Sequence, residues 1–489
     1  MSNSTVKITV NGQEVEADPK KPLIHACHTN SVDVPHYCYH PGLTPVGSCR
    51  ICQVEVKQGE MPSRVMVACR TPVAEGMVVN TESEGAHETR RECLEILLKN
   101  HPLDCPICDK AGECTLQDYT FEEGQGMART EEPRRKLEKR KDLGDVIVLD
   151  QERCILCSRC VRFMEEVPKT PQLTVAGRGS HSTIETFMDR PLTGNYQGNL
   201  ADVCPVGALT LKEFRFRARV WNLHKVASTC GECSRGCSTT VEVLRKKEVK
   251  RIRPRVNEDV NGHWMCDIGR FSMDPLNEEN RLAGAALRGN HGMEARDTQT
   301  ALESSADMLR VGESCAVLLS PFVTQEEGAL AKELANAVGG EVAFLSPKPN
   351  EHADDLLHTG DPCPNRQGLT DLGMRAVSAA EASEFLSGAR VGLVIGDRMD
   401  SLLGEEAIAA LPHAMRLIMF TTVPAQAASV DVNVGMPNIV ERSGSWINVD
   451  GKRGIVQAAR SAPEGVWPLT RSLETLCKLV SPSPQATQG

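Results

Sequence analysis

Residues 5–17, TVKITVNGQEVEA, alternate apolar and polar about Asn11-Gly12, which predicts two strands joined by a type I′ turn. Pro22 to Ser31 reads as a short helix, and QVEVK (53–57) and MVACRTPV (66–73) read as strands. Together they predict a small mixed sheet with one helix over residues 1–80. The apolar spacing changes to helical in HETRRECLEILLKN (87–100), where Leu94, Leu97 and Leu98 share a face. Pro102 ends that helix, because the residue before a proline avoids the α region. Residues 115–145 are polar and charged and read as a linker, VIVLD (146–150) as a strand, and 215–225 as a boundary.

Beyond residue 300 the periods alternate. CAVLLSP (315–321), VAFLS, VGLVIG (391–396) and LIMFTTV (417–423) are apolar runs of strand length, and TQEEGALAKELANAVGG (324–340) is helical up to its glycines. Strands alternating with helices predict an α/β layer with a largely parallel sheet. The tail SPSPQATQG has the composition of a disordered segment.

Length and charge narrow this picture. A chain of 489 residues is expected to form three or four domains. A net charge of −10 and 4% aromatic residues argue against a nucleic-acid binder, which needs a basic surface and stacking platforms. The basic run PRRKLEKRK (133–141) is short and reads as a solvated or docking face. MSNSTVKITVNG lacks the apolar core of a secretory signal. No window approaches the roughly 18 apolar residues that span a bilayer. Any membrane association is therefore expected to come through a partner.

Seventeen of the 20 cysteines lie at or before Cys266, which divides the chain into a metal-rich half and a metal-poor remainder. A long chain with no export signal keeps its thiols reduced, so metal ligation is favoured over disulfides. The first group is Cys38, Cys49, Cys52 and Cys69, three on one loop and one further on, as in plant-type 2Fe–2S proteins but with a longer first spacer. Cys154, Cys157 and Cys160 in CILCSRC, completed by Cys204-Pro205, repeat the bacterial 4Fe–4S ferredoxin arrangement. Cys230, Cys233 and Cys237 are completed by Cys266. Zinc is the alternative, but structural zinc usually pairs two C-x2–4-C elements, whereas three close cysteines plus one distant fit a cubane.

The remaining group, HPLDCPICDKAGEC (101–114), supplies only Cys105, Cys108 and Cys114. Its fourth donor is either His101 or Cys93. Cys93 lies eight residues earlier, about 12 Å along a continuous helix, four residues before Leu97 and so expected to face the core with it. His101 lies four residues from Cys105, just past the helix end. Sequence geometry favours His101. Cys27 remains unassigned.

These four groups, in this order, resemble the large iron–sulfur subunit of bacterial NADH:quinone oxidoreductase, respiratory complex I, over about residues 1–275. H-x3-C-x2-C-x5-C followed by C-x2-C-x2-C and a distant C-P carries the resemblance. It implies that His101 is a ligand. It also implies one 2Fe–2S cluster (Cys38, Cys49, Cys52, Cys69) and three 4Fe–4S clusters (His101, Cys105, Cys108, Cys114; Cys154, Cys157, Cys160, Cys204; Cys230, Cys233, Cys237, Cys266). VERSGSWINVDGKRGIVQ (440–457) resembles a stretch of the molybdopterin oxidoreductases, with substitutions. The domain that carries it is short for a catalytic molybdenum subunit and has no obvious metal-ligand cysteine, so a non-catalytic scaffold without molybdenum cofactor is expected.

The implied fold is multidomain, α+β and α/β. It comprises a β-grasp 2Fe–2S ferredoxin-type domain (1–82), a helical His/Cys3 4Fe–4S domain (83–122) and a bacterial-ferredoxin-like 4Fe–4S domain (145–215). A 4Fe–4S domain of the Mo/W bis-MGD type (223–279) and a shortened molybdopterin-oxidoreductase-like domain (280–480) follow. The implied role is electron relay from a flavin-bearing, NADH-oxidising partner towards quinone. The protein would act with other peripheral-arm subunits on the cytoplasmic side of the inner membrane, joined to it only indirectly. No nucleic-acid partner is expected, and the chain is expected to act as a subunit of the oxidoreductase, not as a complete enzyme by itself. The alternative is the cluster-bearing subunit of an NAD-linked hydrogenase or formate dehydrogenase.

Overall fold

The structure is a computed structural model that describes residues 5–311, 314–397, 399–403, 411–412, 415–425 and 429–481. The chain divides into two units, Met1–Trp221 and Asn222–Gly489. Among the described residues no helix is long and apolar enough to cross a membrane.

In the first unit, Asn11 and Gly12 both take positive φ, 47° and 82°, and close the expected hairpin of β1 (Val6–Val10) and β2 (Gln13–Ala17). α1 (Leu23–Thr29) follows, then β3 (Gln53–Lys57), β4 (Arg64–Val67) and β5 (Val78–Asn80). The sheet runs β2-β1-β5-β3-β4, parallel only between β1 and β5. Ile8, Val10, Val54 and Val79 point from it towards Leu23 and Ile24 of α1. Only the first part of MVACRTPV is strand, because the chain turns at residues 68–70 to bring Cys69 inward.

α2 (Glu84–Leu98) starts three residues before the expected point, capped by Ser83, whose Oγ accepts from the Ala86 N–H. Of the expected face only Leu94 is buried; the other anchor is Arg90, 2% exposed, which donates to the Gln53 and Thr81 carbonyls. Its Nη1 reaches Glu123 Oε1 at 2.6 Å. That carboxylate sits on α3 (Thr115–Glu123), a helix inside the stretch read as linker. Its polar sequence hid the helix, since only Leu116 and Tyr119 supply apolar burial and the rest of the docking is ionic.

β6 (Lys141–Asp142), β7 (Ile147–Leu149) and, later in the chain, Leu209–Leu211 form a three-stranded sheet, and α4 (Arg159–Glu166) follows β7. The hairpin β8 (Leu173–Ala176) with β9 (Thr183–Thr186) and the short helix α5 (Asn199–Val203) lead back to that third strand, β10.

The second unit opens with an antiparallel sheet of β11 (Leu223–Thr229), β12 (Ser238–Leu244) and β13 (Glu248–Pro254), followed by α6 (Asp267–Arg270). An eight-stranded sheet then forms, from β14 (Ala285–Gly289) and β15 (Gly292–Arg296) through β16 (Cys315–Leu319), β17 (Glu341–Leu345), β18 (Arg375–Val377), β19 (Val391–Ile395), β20 (Arg416–Thr421) and β21 (Val430–Gly435). Its order is β15-β14-β21-β20-β19-β16-β17-β18, and from β21 to β18 all neighbours are parallel. The expected parallel α/β layer is therefore present. Taken in chain order the six parallel strands read 3-2-1-4-5-6, a doubly wound sheet whose direction of winding reverses between β16 and β19. Thr324 and Glu327 form a reciprocal capping box at the N-terminus of the helix Gln325–Ala337, worth about 1 kcal/mol. The expected disordered tail lies outside the described residues after Ser481.

Candidate metal centres

The first group is built on the loop between α1 and β3 and on the turn after β4. Cys38, Cys52 and Cys69 are buried and Cys49 is half-buried. Arg50 takes a φ of 61°, which lets the loop fold Cys49 and Cys52 to one side. The Cys38 sulfur accepts from the Cys49 and Cys69 thiols, and this holds it far below an ordinary thiol. Cys69 lies between Cys38 and Cys52, so the four thiols form one contiguous cluster in the order Cys49, Cys38, Cys69, Cys52. The Cys38 N–H points at Cys49 Sγ, 3.4 Å away.

In the third group, Leu156 and Ser158 take positive φ (52° and 58°), coiling CILCSRC so that its thiols turn one way. Cys154, Cys157, Cys160 and Cys204 line one small cavity with Ile184, Val206 and Leu209. Burial pushes the Cys154 thiol up to about 12 and Cys157 to about 11. Such sulfurs become thiolates only when a cation replaces their protons. The Leu156 N–H lies 3.4 Å from Cys154 Sγ.

The second group lies between α2 and α3. His101 Nδ1 is sealed from solvent without a hydrogen-bond partner, as a metal-ligating nitrogen requires. Burial lowers its pKa to about 4, so the imidazole is neutral. His101, Cys105 and Cys114 line one cleft of about 500 Å³. Cys108 feels the charge of Cys105, Cys114 feels that of Cys108, and Cys105 is the exposed member. Cys93 points elsewhere: its Sγ lies 3.5 Å from the Arg50 carbonyl, beside the first group. The expectation that Cys93 faces the core with Leu97 is corrected, because both are only half-buried.

The fourth group spans the β11–β12 loop and α6. Cys230 N–H donates to the Cys237 carbonyl at 2.8 Å, closing the loop. Cys266 caps α6, its Sγ 3.4 Å from the Gly269 N–H. The Cys230 thiol is raised first by burial, then by Cys237, Cys266 and Cys233 around it. The hairpin Gly444–Ile447/Arg453–Val456 braces this loop: Asn448 Nδ2 donates to the Arg235 carbonyl and the Val449 N–H to that of Ser234. The stretch singled out at 440–457 thus packs against the fourth group.

Two glycines show that the sulfurs are closely housed. A Cβ at Gly207 would stand 2.2 Å from Cys108 Sγ, and one at Gly269 would stand 2.7 Å from Cys230 Sγ. The donor sets fit iron–sulfur clusters: sixteen side chains in four sets, one set holding a histidine, with backbone N–H groups aimed at sulfur in three of them.

Sequence reading missed the residues that tie these sets together. Arg159 and Arg162, on the first turn of α4, reach the first group's loop. Arg159 donates to the Tyr39 and Val203 carbonyls, and Arg162 to those of Thr44 and Cys38. The Arg159 guanidinium is buried within the field of Cys157, Cys204, Cys49 and Cys38. Lys110 Nζ donates to the Ala201 carbonyl, joining the second group to the third. The signal was present in CSRCVRF, two arginines three apart inside a ligand helix.

The chain matches four family models. They are described as a 2Fe-2S iron-sulfur cluster binding domain (residues 3–84), the NADH-ubiquinone oxidoreductase-G iron-sulfur binding region (90–129), the ferredoxin-like domain of NADH-quinone oxidoreductase subunit 3 (144–210) and the NDSU1/NuoG-like 4Fe-4S domain of NADH-ubiquinone oxidoreductase (234–274). It is 37% identical over 305 residues to the G subunit of NADH-quinone oxidoreductase of Rickettsia bellii, covering 62% of this chain and 44% of that one. It is 38% identical over 362 residues to the mitochondrial 78 kDa subunit of NADH-ubiquinone oxidoreductase of Neurospora crassa, covering 72% and 48%. The chain thus spans about half the length of these curated relatives. A solved NAD+-reducing [NiFe]-hydrogenase is similar at 28% identity and a TM-score of 0.40, covering 44% of this chain and 92% of that chain. The protein is multidomain α+β, with one ferredoxin-type 2Fe–2S domain and several 4Fe–4S domains.

Proposed function

For a chain that belongs to the family of the NADH-quinone oxidoreductase large iron–sulfur subunits, we propose a role as an electron relay between a flavin-bearing, NADH-oxidising partner and the quinone side of the complex. The relay uses one 2Fe–2S cluster on Cys38, Cys49, Cys52 and Cys69. Three 4Fe–4S clusters sit on the His101, Cys154 and Cys230 sets. The observation that carries this reading is the bracing of three donor sets against one another in the first unit by Arg159, Arg162 and Lys110. Fixed spacing of redox sites is what a relay needs. The clusters supply one-electron chemistry when bound. The chain buries them, excludes water, and sets their potentials through N–H···S bonds and the Arg159 cation.

The domain boundaries given above follow these sets. Residues 280–480 serve as a scaffold resembling a shortened molybdopterin-oxidoreductase domain, with no molybdenum cofactor expected. Doubly wound sheets bind ligands where the winding reverses. Here Arg442 fills that crevice: its guanidinium pairs with Asp397 after β19 and, at 3.3 Å, with Glu327 after β16, and it donates to the Phe322 carbonyl. The partners are the other peripheral-arm subunits on the cytoplasmic face of the inner membrane, with the membrane arm reached through them.

Affinity purification of the full chain from its native membranes tests the assignment. Recovery of a flavin subunit together with membrane-arm proteins supports it. Recovery of hydrogenase or molybdenum subunits in their place overturns it.

A further inference from the structure

Outside the four cysteine sets, three side chains converge at the edge of the first. His28 closes α1, the chain turns through Ser31 at a φ of 60°, and Asp33 and His36 come back over the helix end. One donor atom from each of His28, Asp33 and His36 lies within 4.8 Å of the other two. His28 Nε2 is sealed from solvent, makes no hydrogen bond, and stands 3.7 Å from Asp33 Oδ1. The two imidazole centroids lie 4.9 Å apart, with the rings tilted by 46°.

We propose that His28, Asp33 and His36 form a binding site for a divalent cation of the zinc class. Two imidazoles and a carboxylate suit zinc and its neighbours over magnesium or calcium, which prefer all-oxygen shells. Zinc bonds of about 2.0–2.1 Å set tetrahedral donors roughly 3.3 Å apart. The 3.7 Å between His28 and Asp33 therefore needs only a small contraction.

His36 is already oriented as a ligand. Its Nδ1–H donates to the Val34 carbonyl at 2.8 Å, which leaves Nε2 as the lone-pair nitrogen of a neutral ring. Ligating histidines are fixed by a bond of this kind from the other ring nitrogen. Val34 is itself buried and Pro35 restrains the approach, so the ring is held before any ion arrives. Asp33, 69% exposed, provides the entry side. Three protein donors leave a fourth position for water or an exogenous ligand.

The site stands whichever metal the cysteine groups hold, so its fate is separable from that of the relay. It is not isolated from the relay, however. His36 is two residues from Cys38 on one continuous segment, so a bound dication would stabilise the reduced binuclear centre and raise its potential.

The test uses the full, cluster-loaded chain, with zinc as the probe in titration calorimetry and cobalt(II) as the spectroscopic probe. The proposal expects one saturable zinc per chain, bound at least about tenfold more weakly by Asp33→Asn and weaker still by a His28→Gln/Asp33→Asn double variant. It also expects cobalt ligand-field bands without thiolate charge transfer, and an upward shift of the binuclear potential on adding zinc that the double variant loses. Zinc affinity unchanged in the double variant, absence of saturable binding to the loaded chain, or cobalt spectra showing thiolate ligation would each overturn it.

Discussion

Gly207 lies against Cys108 so closely that a Cβ on it would come within 2.2 Å of the sulfur. The glycine follows Cys204-Pro205 of the third set, and the cysteine belongs to the second. The two sets are therefore packed through a position where a hydrogen is the largest substituent that fits. Gly207→Ala is expected to lose the second set's centre selectively. The loss would appear as about four fewer irons per chain and one missing tetranuclear signal, with the binuclear signal retained. An alanine variant with full iron content would show that the packing is not needed.

His101 and Cys93 compete for the fourth ligand of that same set, and the structure separates them by neighbourhood. His101 Nδ1 is sealed and unpartnered, while Cys93 Sγ sits at the Arg50 carbonyl. His101→Ala should destabilise the second centre, and Cys93→Ala should keep it. His101→Cys adds a negative charge to the ligand set and should lower that centre's potential, the reverse of the effect of histidines in Rieske centres. Potentiometric EPR on the three variants decides the matter. Retention of the centre in His101→Ala with its loss in Cys93→Ala would reverse the assignment.

How much of this could be read in advance differs by element. The hairpin at Asn11-Gly12, the helix before Gly339 and the parallel strands were visible because turn chemistry and apolar period are local properties. The cysteine groups stood out because their spacing is written directly into the chain, and the fold brings thiols of each group together. The helix Thr115–Glu123 was not, because its docking depends on the Glu123 contact with Arg90, a pair 33 residues apart. The same holds for Arg159, whose partners come from Tyr39 and Val203, distant segments that only folding brings together.

Arg159 is a buried cation within the field of four candidate ligand thiols from two sets. Removing it should destabilise the reduced, more negative state of the nearest centres. Arg159→Gln is expected to lower the binuclear potential by tens of millivolts, given that about 59 mV is tenfold in a one-electron equilibrium. A redox titration showing an unchanged or higher potential would contradict the electrostatic role.

Glu441 links the second unit's motif to its core. Arg281 Nη1 and Nη2 reach its carboxylate at 2.8 and 2.7 Å, Arg460 Nε at 3.0 Å and the Asn438 N–H at 3.0 Å. Burial acts to raise its pKa, but the Arg281 and Asn438 bonds outweigh burial and hold it below the ordinary 4.5. A carboxylate depressed in the folded state adds stability above its unfolded pKa and loses it as pH falls through the folded value. In urea unfolding, wild type should therefore exceed Glu441→Gln by a constant margin near neutral pH. The margin should shrink once the pH drops below about 4.5. A margin that grows on acidification would show that the sign is wrong.

The relay proposed above requires one binuclear and three tetranuclear iron–sulfur centres in this chain. Iron quantification combined with low-temperature EPR of the stepwise-reduced, anaerobically purified full chain tests it most directly. The expected result is about 14 irons per chain, one 2Fe–2S spectrum and three distinct 4Fe–4S spectra. A colourless preparation holding stoichiometric zinc and no iron would contradict it.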